Sequence, residues 1–338
     1  MTNDFSAAQR PRRARRGRSP EQRAAVGVEF VAFLAPRLTA RDRWLAHMLY
    51  EHKVFTSTQI TQLAWPSPRA ANHRLLQLYK WRVVDRFEPF RAFGSAPMHY
   101  VLDTAGAAVL AREYGLDAGD LGYRHRDSLG IAHSLRLAHA LGTNTVFTGL
   151  VALTRQPGDE GRLTRWWSEE RCFRHFGDLV RPDAYGRWCE GRHEVEWFLE
   201  YDTGTERPST RVAAKLNDYA KLAAATAITT PVLFWTPTAH REVRLRHALD
   251  DQLASLSSPL SVPTATTCSE TAGSAATARW LPLAPGGRGE RLRLADLAAA
   301  WPQLQPIAPV RAEETSGTTG LPPPSPHPPP PQTWHQRG

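Results

Sequence analysis

Residues 179–219, LVRPDAYGRWCEGRHEVEWFLEYDTGTERPSTRVAAKLNDY, hold the pattern that decides the fold of the larger part of the chain. Two runs rich in aromatic and branched residues, 179–189 and 195–202, flank the turn-forming tripeptide Glu190-Gly191-Arg192. This pattern predicts a β-hairpin. Because side chains alternate along a strand, Glu200 and Asp202 share one face of its second strand.

The same segment concentrates negative charge. Between Asp183 and Glu206 there are seven acidic residues and two arginines, a net charge of −5, whereas the whole chain has a formal net charge of +9. Carboxylates crowded on one sheet face repel each other, and a hard divalent cation such as Mg²⁺ can compensate them through one or two carboxylates and water. In a protein that binds DNA, such an ion would polarise a phosphate and activate water.

The segments around the hairpin predict a sheet with helices packed on it. We expect two helices, a strand and a further helix at residues 166–176, 210–225, 231–236 and 239–253, respectively. Lys215 and Tyr219 are four residues apart and share a face of the second helix. The order helix, hairpin, helix, strand, helix indicates an α/β domain with a mixed sheet.

A smaller block precedes this domain. Capping residues and apolar spacing predict a helix over 39–51, a short second helix that begins at Thr56 or Ser57, and a third that opens with Ser67-Pro68. Strands are expected over 83–90 and 98–102. Three helices followed by a hairpin is the element order of a winged helix-turn-helix.

The charge of this smaller block favours contact with DNA. From Lys53 to Arg91 there are seven basic residues and two acidic ones. We expect the third helix to enter the major groove and the wing to reach phosphates. The predicted DNA-binding residues are Arg69, Asn72, His73, Lys80, Arg82, Arg86 and Arg91. The alternative is a small packing module that contacts other proteins.

The two ends of the chain have biased compositions. Residues 1–23 contain seven arginines and two acids, which predicts a disordered basic arm that contacts phosphates or is a solvated tail without a role. Eleven of the 27 prolines lie between Pro302 and Pro331, which predicts a disordered or polyproline II tail. The predicted divisions are 1–36 (arm), 37–125 (winged helix-turn-helix), 126–159 (helical linker), 160–300 (mixed-sheet domain) and 301–338 (Pro-rich tail).

Composition excludes several classes of protein. A chain of 338 residues with a pI near 9.9 has room for two cores and favours an anionic partner. No uncharged apolar run reaches the ~18 residues of a membrane span, and we expect the chain to be cytoplasmic. Three cysteines without a CxxC pair support neither a disulfide framework nor a zinc site. P-loop, GxSxG and HExxH motifs are absent, and His133 and His139 are not predicted to bind a metal together.

The ordered motifs resemble a known family. Pro182-Asp183, a hairpin, Glu200-Tyr201-Asp202 and Lys215-x-x-x-Tyr219 are similar to the motifs of the PD-(D/E)xK nuclease superfamily. With the winged helix and the linker helix, the series RPD…FLEYDTGTE…KLNDY resembles the replication-relaxation family of bacterial plasmids and other mobile elements, over residues 39–255. The resemblance implies a restriction-endonuclease-like fold for the C-terminal domain.

The resemblance also implies a set of site residues. Asp183 and Glu200 would bind Mg²⁺, and Glu170 would assist from the preceding helix. Asp202 stands where the superfamily has a lysine, and Lys215 is expected to supply the missing ammonium from the following helix. The predicted catalytic residues are thus Asp183, Glu200, Asp202, Lys215 and Glu170.

These expectations combine into one function and its alternatives. We expect a DNA-binding protein that acts in the replication or transfer of a plasmid or integrated mobile element, with a nuclease-like domain that binds DNA or nicks it with Mg²⁺. The alternatives are a non-catalytic replication accessory factor and a transcriptional regulator with a degenerate nuclease fold, or a scaffold whose winged helix binds another replication protein. DNA and other plasmid replication or transfer proteins are the expected partners, and no membrane is expected.

Overall fold

The computed structural model describes residues 26–89, 96–117, 119–134, 136–158, 160–205, 208–283, 289–304, 307 and 320–330. Arg91 and the arginines of residues 1–23, predicted to contact phosphates, lie outside the described residues. A three-stranded and a six-stranded sheet, both accompanied by helices, confirm the predicted mixed α/β class.

The N-terminal block contains a small sheet and the predicted series of helices. Its elements are α1 (Val28–Leu34), α2 (Ala40–His52), β1 (Phe55–Thr56), α3 (Ser57–Ala64), α4 (Pro68–Lys80), β2 (Val84–Phe87), β3 (His99–Leu102) and α5 (Thr104–Glu113). Thr39 and Thr56 each form a capping box, and Ser67 caps α4 just before Pro68, so all three helices begin where the sequence predicts. The strands pair antiparallel in the order β1-β3-β2.

The C-terminal block is built on the larger sheet. Its elements are α6 (His125–Gly130), α7 (Arg136–Leu153), β4 (Gly161–Ser168), α8 (Glu169–Phe176), β5 (Ala184–Glu190), β6 (His193–Tyr201), α9 (Ser209–Ala213), α10 (Lys215–Thr226), β7 (Val232–Thr236), α11 (Ala239–Ser255), β8 (Thr264–Cys268), β9 (Leu281–Pro282) and α12 (Leu297–Ala300). The strands lie in sequence order from β4 to β9. The pairs β6–β7 and β7–β8 are parallel and the other pairs are antiparallel, so the sheet is mixed.

The predicted helix over 166–176 is wrong in its first turn. Residues 161–168 form β4, and the helix begins only at Glu169, capped by Ser168. A β-bulge between Leu163 and Arg165 shifts the register, so that Leu163 and Trp166 are both buried in the same core cluster. The bulge adds one residue to the strand, so Leu163 and Trp166 face the same side although they are three residues apart. Apolar residues at this spacing resemble the pattern of a helix, which explains the wrong prediction.

Two apolar clusters cover the two faces of the large sheet. One cluster contains Trp197 and Leu199 of β6 and continues without interruption into the N-terminal block. The other contains Phe198 together with residues of α10 and α11. The alternation predicted for β6 is therefore present, and the two blocks share one core.

The structure corrects both predicted tails in part. Residues 28–34, inside the predicted arm, form α1, because Leu34 is fully buried and anchors the helix to the core. Residues 320–330, inside the predicted disordered tail, lie against the folded blocks, with Leu321 buried. The composition of these ends shows their charge and their proline content. It does not show that Leu34 and Leu321 are buried and anchor the ends to the core.

Within the described part of the chain, no helix has both the length and the apolar character needed to cross a bilayer.

Candidate active site and nucleic-acid interface

The predicted ligand Asp183 lies just before β5, beside the end of β6. The backbone N–H of Asp183 donates to the Leu199 carbonyl at 3.2 Å, and its carboxylate Oδ2 accepts from the Tyr201 backbone N–H at 2.7 Å. The other oxygen, Oδ1, lies 3.2 Å from Nε2 of His139 on α7. The hairpin thus fixes the carboxylate, and α7 supplies a basic partner to it.

Glu200 is buried on the neighbouring strand and meets two residues of α10. Its Oε1 accepts a hydrogen bond from the Tyr219 hydroxyl at 2.5 Å, and its Oε2 pairs with the Lys215 ammonium. The predicted single helix over 210–225 is in fact α9 and α10, so Lys215 is the first residue of its helix. The structure therefore joins the predicted residues Glu200 and Lys215 directly.

The two carboxylates influence each other. Burial, opposed by the Lys215 charge and reinforced by the Asp183 charge, raises the pKa of Glu200 to about 7. Burial alone would raise the pKa of Asp183, but the hydrogen bond from His139 and the charge of Lys215 lower it. Asp183 is therefore the ionised member of the pair near neutral pH, whereas Glu200 exchanges its proton in that range.

His139 is the site residue that sequence reasoning missed. Burial alone would lower the pKa of His139, but the hydrogen bond to Asp183 and the charges of Asp183 and Glu169 raise it. Its only sequence signal is a lone histidine on the linker helix, 44 residues before Asp183. Only the packing of α7 against β6 brings the two residues together.

Asp202 follows β6 directly, two residues after Glu200, and its contacts differ from those of Glu200. Its Oδ1 accepts from the Gly204 backbone N–H at 2.7 Å, and its Oδ2 accepts from Arg241 Nε at 2.6 Å. Both oxygens are thus engaged in holding the turn after β6 and the start of α11. This geometry favours a structural role for Asp202 over the predicted catalytic one.

Glu170 faces a different part of the molecule from Asp183. It lines a cavity of about 580 Å³ between the two blocks, close to Tyr50. The charged residues around this cavity are Glu51, Lys53, Arg124, Asp127, Arg136, Glu170 and Arg174. The neighbouring residue Glu169 lies nearer the cluster, since its charge acts on His139. The predicted helper carboxylate thus fits Glu169 better than Glu170.

Among the described residues, basic and hydroxyl side chains of the same chain pair with the acids between Asp183 and Glu206. Besides the pairs above, Tyr185 donates to Glu196, Arg187 to Glu194 and Arg293 to Glu190. The crowding argument for a bound cation therefore loses force.

A fit to Mg²⁺ then rests on Asp183 and Glu200 alone. In the described ranges, no group of three or more His, Cys, Asp or Glu is arranged to hold a metal ion. Two adjacent carboxylates, a buried Glu200 with a raised pKa and a partly buried Asp183, still match the one or two carboxylates that Mg²⁺ takes from a protein, with water completing its shell. Binding would require the His139 and Lys215 side chains to give up their contacts with these oxygens.

Helix α4 presents a polar face to solvent. Arg69, Asn72, His73 and Lys80 are all exposed, and Leu76, 39% exposed, lies among them at helical spacing. The buried stripe of the same helix is Ala71, Leu75 and Leu78. Four of the predicted DNA-binding residues therefore form one continuous accessible surface.

The two predicted wing arginines that the structure describes, Arg82 and Arg86, make more contacts within the protein than the exposed residues of α4. The Arg82 Nη2 donates to the Thr104 hydroxyl at 2.8 Å, and the Arg86 guanidinium lies 4.4 Å from the centroid of the Tyr79 ring. Both are half-buried. They support the hairpin against the helices and have less freedom to reach a phosphate than Arg69 or Lys80.

Comparison with known proteins gives one finding. The model of the family described as replication-relaxation matches residues 47–233, which is more than half of the chain. The match confirms the resemblance to the replication-relaxation family, and its range includes α4, His139, Asp183, Glu200 and Lys215. Comparison with curated proteins and with solved structures gives no match.

Proposed function

The chain belongs to the replication-relaxation family, and we propose that it binds DNA in the replication or transfer of a plasmid or integrated mobile element. The observation that carries the proposal is the exposed face of α4, with Arg69, Asn72, His73 and Lys80 at helical spacing. Helices α2, α3 and α4 followed by the β2–β3 hairpin have the order of a winged helix-turn-helix, in which the third helix reads the major groove.

DNA binding is tested through its dependence on salt. We expect the double variant Arg69→Ala/Lys80→Ala to bind duplex DNA at least tenfold more weakly at 0.1 M salt. The slope of log affinity against log salt should become shallower by about 1 to 2, because each neutralised phosphate contributes about 0.9. Fluorescence anisotropy over a salt series measures both quantities.

The matched control is Arg192→Ala, which removes an exposed charge from the β5–β6 turn. An unchanged slope in the double variant, or an equal loss in the control, would contradict an α4 interface. In that case the protein-contact alternative would be favoured.

We further propose that Asp183, Glu200 and Lys215 form a phosphodiester-cleaving site. Asp183 and Glu200 would hold Mg²⁺, which when bound polarises the phosphate and activates water. Lys215, whose side chain is 35% exposed, supplies an ammonium that can neutralise charge on the phosphate. His139 holds a proton at Nε2 against Asp183 and, by the same charge, orients that carboxylate.

Cleavage is tested by nicking of supercoiled plasmid with Mg²⁺ or Mn²⁺. We expect Asp183→Asn and Lys215→Met each to lower the rate at least 100-fold, since the first removes a charge that would hold Mg²⁺ and the second removes the ammonium beside the phosphate. Lys221→Met is the control, because Lys221 is an exposed lysine on the same helix that pairs with Asp218.

A second function is favoured by one specific observation. All four oxygens of Asp183 and Glu200 already accept hydrogen bonds or ion pairs from the chain. A charge-compensated cluster of this kind suits a non-catalytic replication accessory factor or regulator. That role predicts plasmid binding without nicking under any metal, and DNA affinity that survives Asp183→Asn.

A further inference from the structure

The segment Gly320–Pro330, GLPPPSPHPPP, contains seven prolines and lies in a groove of the folded blocks. One wall of the groove is α2 of the N-terminal block, and Arg171 on α8 of the C-terminal block stands at one end. We call this groove, formed by Arg41, Trp44 and Arg171, the α2–α8 groove. The segment runs antiparallel to α2, from Arg171 towards Arg41.

Three side chains of the groove donate to backbone carbonyls of the segment. Arg171 Nη2 donates to the Leu321 carbonyl at 2.9 Å and Trp44 Nε1 donates to the Ser325 carbonyl at 2.7 Å. Arg41 Nη2 lies 3.4 Å from the Pro329 carbonyl, a longer contact.

These donors suit the chemistry of a proline-rich chain. Proline has no N–H, and a polyproline II helix makes no internal hydrogen bonds, so its carbonyls need donors from outside. Grooves that recognise proline-rich peptides are lined by aromatic side chains. An indole N–H that donates to a carbonyl of such a peptide fits this mode of recognition.

Apolar contacts add to the hydrogen bonds. Leu321 is 4% exposed and Trp44 is 8% exposed, and Pro324 and Pro326 are buried as well. Leu321 and Pro324 are three residues apart and both buried, as residues on one side of a polyproline II helix with three residues per turn would be. Ser325 is exposed, and Pro326, where the chain bends, is buried again.

We propose that the α2–α8 groove is a recognition site for proline-rich segments in the polyproline II conformation, and that residues 320–330 of the same chain occupy it. Fifteen residues separate Leu304 from Gly320. A ligand tethered by a linker of this length competes at an effective concentration of about 1 mM.

The test uses a full-length chain in which residues 320–330 are replaced by a Gly-Ser repeat of equal length. The probe is a fluorescein-labelled synthetic peptide with the sequence of residues 320–330, and anisotropy measures its binding. We expect the replaced chain to bind the peptide at least tenfold more tightly than the wild type, in which the tail competes. A control peptide with glycine in place of the residues corresponding to Pro324 and Pro326 should bind at least tenfold more weakly.

Trp44→Phe in the replaced chain isolates the hydrogen bond. Phenylalanine retains an aromatic ring but lacks the indole N–H, so we expect about a 3- to 10-fold loss of peptide affinity, the effect of one net hydrogen bond. Equal binding by the wild type and the replaced chain would overturn occupation by the tail. No binding by a replaced chain that keeps the wild-type circular dichroism would overturn the recognition site itself.

A second measurement applies if the replaced chain does not fold. In the wild-type chain, the ¹H–¹⁵N signal of the Trp44 indole, assigned through its loss in Trp44→Phe, should exchange slowly with solvent. The signal should also shift when both Pro324 and Pro326 are changed to glycine. Fast exchange and an unmoved signal would overturn the proposal.

Discussion

Two histidines of α2 are buried in the core that the two blocks share. The His52 ring stacks on Trp166 with 3.9 Å between ring centroids, and its Nε2 has no hydrogen-bond partner among the residues that the structure describes. Nδ1 of His47 lies 3.2 Å from the Tyr114 hydroxyl. Burial lowers the pKa of His47 to about 4 and that of His52 to about 3, although the charge of Glu51 opposes both shifts. Both rings are therefore neutral in the folded protein at neutral pH.

We predict that His52→Phe reduces the acid sensitivity of the fold. The pKa of His52 in the folded state lies below its unfolded value of about 6.5, so the unfolded state binds more protons and stability is lost as pH falls below 6.5. One such histidine contributes about 1.4 kcal/mol per pH unit, or about 2 kcal/mol between pH 6.5 and 5. Urea unfolding at pH 7 and pH 5 measures this loss. An equal loss in wild type and variant would show that His52 is protonated in the folded state.

For single residues, the sequence predicts which side chains belong to a motif. It does not predict which side chains from distant elements contact them. Glu200, Lys215 and Tyr219 are predictable because the strand and helix that carry them follow each other closely in the chain. His139 is not predictable, because its contact with Asp183 depends on where α7 crosses the sheet. Asp202 is indistinguishable from Glu200 by pattern, and only Arg241, 39 residues later, separates their roles.

At the scale of elements, caps are well predicted and irregular strands are not. Helix α4 begins at Pro68 as expected, because cap and proline are local signals. The sequence does not predict strand β4, because its bulge breaks the alternation of apolar and polar residues. It does not predict β8, TATTC, either, because this strand has little hydrophobic character, although all five of its residues are buried. β8 is buried because it lies between β7 and β9, and a local sequence pattern does not show this.

Helix α7 offers a matched pair of glycines. A Cβ built at Gly142 would lie 2.3 Å from the Tyr201 ring, whereas one built at Gly149 on the same helix meets nothing within 4 Å. We predict that Gly142→Ala destabilises the fold by about 1–3 kcal/mol through overpacking. We predict that Gly149→Ala stabilises it by about 0.5–1 kcal/mol through helix propensity.

Thermal and urea unfolding of the two variants measure this difference. Since Tyr201 also donates its backbone N–H to Asp183, Gly142→Ala should in addition change the pKa of His139, followed by NMR. Equal stabilities for the two variants would mean that α7 does not press on β6 at this point.

For the whole molecule, the important contact is the ion pair that joins the two blocks. Arg171 donates through Nε and Nη2 to both carboxylate oxygens of Glu51, at 2.9 and 2.8 Å, and the Ser168 hydroxyl donates to the same carboxylate at 2.8 Å. Burial alone would raise the pKa of Glu51, but the hydrogen bonds and the charges of Arg171 and His52 lower it to about 2. The pair lies beside the continuous core, so the two blocks should unfold together.

The last prediction tests this coupling. Glu51→Leu leaves the Arg171 charge buried without a partner and should lower the free energy of unfolding by about 3–5 kcal/mol, whereas the double variant Glu51→Leu/Arg171→Met should recover most of that loss. Lys221→Met, which breaks an exposed pair with Asp218, should cost less than about 1 kcal/mol. Urea unfolding followed by far- and near-ultraviolet circular dichroism should give one coincident transition throughout. Two separate transitions would mean that the blocks fold independently. A double variant no more stable than Glu51→Leu would mean that the buried Arg171 charge is not what destabilises the single variant.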